Sequence, residues 1–484
     1  MHMRLFDTNV QQLKYSVLKE VVRLAREDKL EDSYYEIPRT IIPGPKATMR
    51  CCIYRERAIV EERVKIARGG DRSNENVVEV IDSACDECPV NRYSVTDTCR
   101  GCIAHRCESV CPAGAISFDK NQKAKIDPEK CLECGRCMKV CPYNAITESQ
   151  RPCVRGCKAK AIVIDENKKA KIDEKKCVSC GACVYQCPFG AIVDKSCVVD
   201  IVNLLKESEN GKKFKVYAAI APAIVSQFTY AKIGQIVSGI KKLGFHSVIE
   251  VALGADIVAS MEAKELAEKE FLTSSCCPAF VKYIEINFPK MVDKISHNVS
   301  PMVAIAQLIK KTDKNAKVVF IGPCIAKKAE VKLDKAKDYV DYVLTFEELQ
   351  AMFDGYDVDV ENLPEDVLNN ASYYGRIFAR SGGVAEAVEH VIGRDGLDFH
   401  LKAERCDGLD ECKVALLKAS RGKLDANFIE GMACEGGCIG GAACLQHGPK
   451  NRSDVDKYGK LALEANIDES LRILNCFTDN KGEK

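Results

Sequence analysis

From Lys213 onwards, apolar runs typical of buried strands alternate with stretches whose apolar residues have helical spacing. The segments FKVYAAIAP (214–222) and VVFIGPC (318–324) predict buried strands, and HSVIEVALGAD (246–256) predicts a strand with its exit loop. Residues 233–243 and 257–271 predict helices. Strands that alternate with helices in this way indicate an α/β region of about 260 residues.

The first 80 residues show a different pattern. Apolar residues recur with helical spacing between Val10 and Lys29, and residues 58–67 again favour a helix. Residues 37–45 contain three prolines and predict a loop. We expect residues 1–80 to form a helical cap that packs on the cysteine-rich region after it.

Charge and composition narrow the class of protein. The chain has 484 residues, 71 basic and 70 acidic side chains and a formal net charge of +1, which argues against a nucleic-acid binder or a polybasic membrane anchor. No uncharged apolar run approaches the roughly 18 to 20 residues of a membrane span, and the N-terminus lacks a secretory signal pattern. We therefore expect a cytoplasmic protein without nucleic-acid or membrane partners, whose 28 cysteines stay reduced and bind metal.

Sixteen of the cysteines lie between Cys85 and Cys187 and follow a regular spacing. The pattern C-x2-C-x2-C-x3-C-P is typical of bacterial ferredoxins, in which three thiolates on one loop hold a 4Fe–4S cluster and the cysteine before proline binds the neighbouring cluster. A zinc site needs four ligands and has no use for this distant fourth cysteine. The pattern occurs twice and a looser version precedes it: Cys131, Cys134, Cys137 and Cys141; Cys177, Cys180, Cys183 and Cys187; and Cys99, Cys102, Cys107 and Cys111.

The pattern repeats at an interval of 46 residues, which places Cys107 on Cys153 and Cys141 on Cys187. The repeat indicates two tandem ferredoxin-like units, at 81–150 and 151–207. Crossing the fourth ligands predicts three clusters: Cys99, Cys102, Cys107 with Cys141; Cys131, Cys134, Cys137 with Cys111; and Cys177, Cys180, Cys183 with Cys157. Two arrangements remain open for the other cysteines: a fourth cluster on Cys85, Cys88, Cys153 and Cys187, or a zinc site on Cys85, Cys88, Cys99 and Cys102.

A row of three to four accessory 4Fe–4S clusters carries electrons between a surface docking point and a deeper site. Between Arg151 and Lys176 nine basic residues face four acidic ones, which is typical either of a docking face for an acidic carrier or of an ordinary solvated surface. Neither G-x-G-x-x-G after a strand nor G-x4-G-K-[ST] occurs, so we expect no nucleotide site.

Three further cysteine motifs are dispersed through the α/β region. They are TSSCCP (273–278), GPCIAKKAE (322–330) and MACEGGCIGG (432–441). Together they offer one four-thiolate site, and the flanking glycines let the backbone approach a bulky inorganic ligand. The four cysteines in question are Cys277, Cys324, Cys434 and Cys438.

TSSCCPAF, GPCIAKKAE and EGMACEGGCIGG resemble the signature segments of the iron-iron (FeFe) hydrogenases, in the same order, and the resemblance extends over residues 214–475. It implies a two-lobed α/β catalytic domain at 213–476, α+β ferredoxin-like domains ahead of it and a tail at 477–484. It also implies an H-cluster, in which Cys277, Cys324, Cys434 and Cys438 hold a 4Fe–4S cluster and Cys438 bridges to a diiron centre with CO, cyanide and azadithiolate ligands. The implied reaction is 2H⁺ + 2e⁻ ⇌ H₂, with a ferredoxin or flavodoxin as electron carrier and with hydrogenase maturation proteins as partners.

The same resemblance implies roles for single residues. Cys276 corresponds to the thiol that passes protons to the bridgehead amine. GADIVASMEAKEL carries two proton-relay glutamates, Glu262 and Glu265, for which a solvated helix face is the structural alternative. Lys327 corresponds to a lysine that binds cyanide, and Met432 to a methionine packed on the diiron centre. The relay serine and the pocket walls correspond to Ser296, Pro222, Ala223, Ser300, Pro301 and Gly383.

The sequence departs from the well-studied members at several of these positions. Ala279 and Phe280 stand where those members have Gly-Trp, Gly322 replaces a methionine, Ala223 a serine and Met302 a glutamine. These replacements resemble group B of the family, and losing hydrogen-bond donors around the diatomic ligands shifts the properties of the metal centre.

Two other functions stay open at this point: a non-catalytic iron–sulfur assembly protein of the Nar1 or narf-like type, and a hydrogen sensor. Cys276, Lys327 and Met432 favour the enzyme. The adjacent Cys51 and Cys52 do not suit a shared cluster. The remaining cysteines have no place in either pattern and are predicted to be small buried hydrophobic residues: Cys197, Cys406, Cys412, Cys444 and Cys476.

Overall fold

The computed structural model describes residues 5–50, 52–89 and 91–478, with side chains described as far as residue 472. Cys51, the side chain of Cys476 and residues 479–484 of the predicted tail lie outside the described residues. Within the described ranges, no helix is both long and apolar enough to cross a membrane.

The N-terminal region is helical. A capping box between Thr8 and Gln11 starts the first helix. The predicted loop at 37–45 is partly wrong, because its first five residues are helical, with Pro38 in the first turn, where no amide hydrogen is needed. The helices are α1 (Asn9–Arg26), α2 (Leu30–Ser33), α3 (Ile37–Ile41) and α4 (Ile53–Ala67).

Short strands and helices follow, and they repeat at the predicted interval. The strand pair Ile116↔Ile126 recurs as Ile162↔Ile172. The elements are β1 (Val78–Val80), β2 (Tyr93–Val95), α5 (Arg106–Ser109), β3 (Ile116–Phe118), β4 (Ala124–Ile126), α6 (Arg136–Val140), β5 (Ile146–Glu148), α7 (Pro152–Gly156), β6 (Ile162–Ile164), β7 (Ala170–Ile172), α8 (Ala182–Gln186) and β8 (Ile192–Asp194).

The pairing of the outer strands shows how the two units are threaded. In the first unit β2 pairs with β5, and in the second unit β8 pairs with β1, which precedes the whole first unit in the chain. The first unit is therefore inserted into the second. Cys85 and Cys88 follow β1 as Cys99 and Cys102 follow β2, so this pairing carries Cys85 and Cys88 to the second unit.

The α/β region contains two parallel sheets, with strand orders β10-β9-β12-β13 and β11-β15-β14. The segment 246–256 was predicted to be a strand with its exit loop, and the loop is wrong: α11 begins directly after β10, and its first turns are largely buried. The elements are α9 (Val198–Glu207), β9 (Val216–Ile220), α10 (Ile233–Lys242), β10 (Ser247–Glu250), α11 (Val251–Lys269), β11 (Leu272–Thr273), α12 (Pro278–Asn287), α13 (Pro301–Thr312), β12 (Lys317–Gly322), α14 (Lys327–Glu330), β13 (Tyr342–Thr345), α15 (Phe346–Gly355), α16 (Tyr373–Ile377), α17 (Gly383–Asp395), β14 (Ala403–Asp407), α18 (Leu409–Ala419), β15 (Phe428–Met432), α19 (Asn451–Lys460) and α20 (Ile467–Thr478).

The sequence led us to expect that the N-terminal helices pack on the ferredoxin-like units. They do, but they also pack on the α/β region. Helix α4 contacts β8 and α1 contacts α9, but α1 also packs on α15 of the α/β region. Its apolar residues, among them Val17 and Val21, belong to the core that contains the strands of that region. A buried ion network joins the same regions: Asp194 at the end of β8 binds both Lys14 of α1 and Lys328 of α14. The three regions therefore share one interior.

Candidate active site and cluster-binding cysteines

The three dispersed cysteine motifs meet because each follows the carboxyl end of a parallel strand. Cys277 follows β11, Cys324 follows β12, and Cys434 and Cys438 follow β15. Parallel strands of open sheets bring such ends to one crevice. Burial raises the pKa of the Cys434 thiol well above its ordinary value, and the nearby thiols of Cys324, Cys277 and Cys438 raise it further. The structure thus places the four predicted ligands of the H-cluster side by side.

The loop between Cys434 and Cys438 depends on glycine. Gly436 and Gly437 have φ angles of +82° and +85°, in the left-handed region that side chains disfavour. A Cβ on Gly437 would also lie 2.7 Å from the backbone nitrogen of Ser381. The tight turn brings the two cysteines to the same site.

A cavity of about 80 Å³ lies beside these thiols, and its walls are almost wholly apolar. Eight predicted site residues line it: Cys276, Cys277, Cys324, Cys438, Lys327, Met432, Pro222 and Pro301. Ala223 and Ser300 are fully buried next to two of these, outside the lining. Gly383 does not line the cavity either; it starts α17, where a Cβ would lie 1.9 Å from the carbonyl oxygen of Ile377.

Lys327 is the buried cation of this cavity. Its ammonium group donates to Glu330 at 2.6 Å and to the carbonyl of Cys276 at 3.4 Å. Burial lowers its pKa, but the charges of Glu330 and Cys324 outweigh burial, so the net shift is upward and the lysine stays charged. An ammonium has three hydrogens, which leaves one for a group inside the cavity.

Glu262 of α11 is completely buried, and neither of its carboxylate oxygens has a hydrogen-bond partner within the described part of the chain. Burial raises the pKa of Glu262 to about 8, against a smaller opposing effect of the Ser296 hydroxyl and the Ser275 amide. The charge of Glu262 also raises the pKa of Cys276. Glu262 therefore lies between the cavity thiol and Ser296, and the alternative of a solvated face does not apply to it.

Glu265, one turn further along α11, is the centre of a network that reaches solvent. It accepts hydrogen bonds from Ser296 at 3.1 Å and from the side chain of Asn298 at 2.9 Å, and it pairs with Lys269 and His297 at 2.9 and 2.6 Å. The His297 side chain is 69% exposed. Partial burial raises the pKa of Glu265, but the hydrogen bonds from these partners lower it by more, so the net shift is downward.

Sequence reasoning missed several polar residues in and around the site: Glu330, Lys269, His297, Asn298 and Glu430. Two left a signal in the sequence, since Lys327–Glu330 and Glu265–Lys269 have the spacing of helical ion pairs. Glu430 left none: it is buried on β15 and accepts the backbone amides of Gly382 and Ala385 at 2.7 and 2.9 Å. It thereby fixes the start of α17.

The thiols of the ferredoxin-like units also lie in groups. Cys107 has Cys102 and Cys141 as neighbours, and Cys137 has Cys131 and Cys134. Cys183 lies near Cys180, Cys177, Cys157 and Cys153. In each case burial is the main cause that raises the pKa of the thiol, and the neighbouring sulfurs add to it. Among the described residues, no three His, Cys, Asp or Glu side chains are placed to share a single metal ion.

Cys85 and Cys88 lie in the second unit. Burial and the neighbouring thiols of Cys187, Cys88 and Cys85 raise the pKa of Cys153 to about 11. These four cysteines are the ones predicted for the fourth cluster, whereas the alternative zinc site combined Cys85 and Cys88 with Cys99 and Cys102. The four cysteines come together because β1 pairs with β8.

The two groups of the second unit form a series toward the cavity. Cys153 of the group around Cys85 neighbours Cys183, and Cys180 of the next group neighbours Cys277 and Cys434. Among the cysteines outside the series, Cys406, Cys412 and Cys444 are fully buried, whereas Cys52 and Cys197 are half-buried.

Comparison with known proteins agrees with this arrangement. Residues 214–442 match the family "Iron only hydrogenase large subunit, C-terminal domain". Residues 98–145 match a 4Fe-4S dicluster domain and residues 130–190 a 4Fe-4S double cluster binding domain.

Three relatives illustrate the range of similar proteins. Iron hydrogenase 1 of Clostridium pasteurianum is 26% identical over 85% of this chain and 82% of its own length. The periplasmic [Fe] hydrogenase large subunit of Nitratidesulfovibrio vulgaris is 31% identical over 43% of this chain and 61% of its own. The cytosolic Fe-S cluster assembly factor NAR1 of Botryotinia fuckeliana is 26% identical over 43% and 52%.

Among solved structures, a variant of apo [FeFe]-hydrogenase HydA1 from Chlamydomonas reinhardtii is 20% identical, covers 57% of this chain and 93% of its own, and has a TM-score of 0.46. The matched domains and the order of the cysteine motifs point to the same family. The chain is a homologue of the FeFe hydrogenases, with the iron-only hydrogenase catalytic fold behind ferredoxin-like 4Fe–4S domains.

Proposed function

We propose that this protein is an FeFe hydrogenase that interconverts protons and H₂ at an H-cluster on Cys277, Cys324, Cys434 and Cys438. The observation that carries the proposal is the apolar cavity beside these thiols, into which Cys276, Lys327 and Met432 converge. A noncatalytic cluster protein has no need of an apolar cavity that is lined by a reactive thiol and a buried ammonium.

The donor set fits the group that the family uses. Four clustered thiolates suit an iron–sulfur cluster, and an apolar pocket with one cation suits a metal centre that carries anionic cyanide. When bound, the diiron centre supplies the open metal position at which H₂ is formed or split. Lys327 would orient the centre with its free hydrogen, Met432 and the prolines would exclude water, and Cys438 would be a ligand of the group.

The proton route is made by side chains of this protein. The Cys276 thiol exchanges a proton between the cavity and Glu262, whose pKa of about 8 allows it to hold and release a proton near neutral pH. The Ser296 hydroxyl passes the proton between Glu262 and Glu265. Glu265 exchanges it with the exposed His297 and solvent.

Electrons travel along the ferredoxin-like units. One accessory 4Fe–4S cluster is proposed at each predicted set, including the fourth on Cys85, Cys88, Cys153 and Cys187. The neighbouring thiols that raise the pKa values of Cys153 and Cys180 support the two sets of the second unit. A ferredoxin or flavodoxin delivers or removes the electrons, and maturation proteins install the diiron centre. Because so many thiols need a reducing compartment, we place the protein in the cytoplasm.

A second candidate function, iron–sulfur assembly without catalysis, is favoured by the similarity to NAR1. One experiment separates the two. The protein with its 4Fe–4S clusters is loaded with a synthetic diiron centre, and H₂ evolution from a reduced carrier is measured together with infrared bands of CO and cyanide.

We expect both H₂ and the bands. Cys276→Ser keeps the bands and loses most of the turnover, and Cys406→Ser, a buried thiol outside the cavity lining, keeps both. Absence of the bands from the loaded protein supports the assembly function, and full turnover in Cys276→Ser refutes the proton route.

A further inference from the structure

Two buried arginines lie against the group Cys85, Cys88, Cys153 and Cys187, which we call the β1 cluster site. Arg63 of α4 is 4% exposed and Arg151, at the start of α7, is 7% exposed. Arg63 interacts with the charge of Cys187, and Arg151 with that of Cys88. The two guanidinium groups reach the site from separate elements.

Their hydrogen bonds leave donors unused. Arg63 donates from Nη2 to the carbonyl of Gly190 at 2.7 Å, and Arg151 donates from Nη2 to the carbonyl of Lys168 at 2.9 Å. Arg63 Nε and Arg151 Nη1 are buried without a hydrogen-bond partner among the described residues. Buried N–H groups are rarely left unpaired in proteins, so these two point to an acceptor at the site.

The charges need a counter-charge as well. Within the described ranges neither arginine forms an ion pair with a carboxylate, whereas the neighbouring Arg50 pairs with Asp86 at 2.9 Å. Burial lowers the pKa of Arg63 to about 10, which still leaves it charged at neutral pH. A buried charge without a partner is strongly unfavourable, and the groups at hand that can supply a negative charge are the four cysteines when they bind a cluster.

The arginines distinguish this site from the other cysteine groups. Backbone amides donate to thiolate sulfur throughout: Ala191 to Cys187 at 3.2 Å here, and Ala161 to Cys157 at 3.2 Å and Ala145 to Cys141 at 3.4 Å elsewhere. Such bonds therefore do not set one group apart. Two buried guanidinium groups do.

We propose that Arg63 and Arg151 donate hydrogen bonds to sulfur atoms of a 4Fe–4S cluster at the β1 cluster site and raise its reduction potential above those of the other accessory clusters. One-electron reduction, by an electron from the adjacent cluster, adds one negative charge, and fixed nearby cations stabilise that state. No proton moves. The cluster thus stores an electron within the series that leads to the cavity. The inference rests on the proposed ligation by Cys85, Cys88, Cys153 and Cys187, but not on H₂ turnover.

The test is a redox titration of the cluster-loaded full chain, followed by electron paramagnetic resonance, with iron and zinc content measured on the same samples. Arg63→Gln and Arg151→Gln remove the charges one at a time. Lys65→Gln is the matched control, since Lys65 lies on the same helix, is exposed and pairs with Glu62. Cys85→Ser identifies the signal of the β1 cluster site.

We expect the signal removed by Cys85→Ser to have the highest midpoint potential among the accessory clusters. Each glutamine variant should lower that midpoint alone, the double variant should lower it further, and Lys65→Gln should change nothing. Unchanged midpoints in the double variant overturn the inference. Unchanged iron content in Cys85→Ser, or zinc at this site, overturns the ligation itself.

If a glutamine variant loses the cluster, the charge-preserving Arg63→Lys and Arg151→Lys variants decide. Retention of the cluster with a nearly unchanged midpoint supports a role for the charge. Loss of the cluster in the lysine variants also means that the arginines act through packing alone, and it overturns the inference.

Discussion

Replacing Glu262 by glutamine tests whether this residue carries protons or only supports the fold. A proton carrier predicts lower H₂ turnover with higher stability at neutral pH, whereas a structural role predicts lower stability. Glutamine has the same shape, cannot ionise and cannot pass a proton as a carboxyl group does. Glu262 is fully buried and its oxygens lack hydrogen-bond partners in the described residues. A residue selected only for stability at this position would not be a carboxylic acid.

The size of the effect follows from the pKa. Burial raises the pKa of Glu262 from 4.5 to about 8, which corresponds to roughly 5 kcal/mol between the two protonation states. The unfolded chain binds fewer protons than the folded one between these pH values, so this residue lowers the stability of the protein progressively as pH rises from 4.5 to 8. The glutamine variant escapes this loss.

We therefore expect Glu262→Gln to match the wild type in stability near pH 4.5 and to gain up to roughly 5 kcal/mol by pH 8, measured as the difference in thermal midpoint along a pH series. H₂ turnover should fall about 10²-fold or more, the range of a lost acid–base group. For the stability measurement, Glu265→Gln is the matched control. The pKa of Glu265 is lowered by its partners, so its loss should cost stability above the ordinary carboxyl pKa and cost less as pH falls. A Glu262→Gln variant with full turnover, or with a stability difference independent of pH, would falsify the reasoning.

The remaining predictions concern the ends of the proton route and the cavity cation. Cys276→Ser should lower turnover about 10²-fold or more at unchanged iron content; turnover equal to the wild type counts against the thiol. Lys327→Met should destabilise the protein by about 3–5 kcal/mol because it leaves the buried Glu330 carboxylate without its partner, and adding Glu330→Gln should restore stability, seen in thermal unfolding, without restoring turnover. His297→Gln should slow turnover most at low buffer concentration and should respond to added imidazole, since His297 links Glu265 to solvent; a rate that is indifferent to buffer contradicts its role.

The sequence predicted local arrangements well. The cysteine spacing and the 46-residue repeat carried over into strand pairs and loops, because three ligands within seven residues are placed by the conformation of a single loop. The helix that carries Glu262 and Glu265 was also predicted from a local pattern, although its start was placed at residue 257 and α11 begins at Val251. The path of α1 was not predicted, since its apolar face shows that it packs on something but not on what.

Long-range pairing decided the rest. Cys85 and Cys88 lie near Cys153 and Cys187 because β1 pairs with β8 across the inserted first unit. The cysteine spacing had left two arrangements open for them. The cavity exists because strands of two sheets end at one crevice. Three partners of Glu265, namely Ser296, His297 and Asn298, come from the segment after α12, which no helical periodicity connects to α11. The sequence thus determined which groups can bind metal or carry protons, through short-range geometry, and the tertiary structure determined which of them meet, through backbone pairing and burial between distant segments.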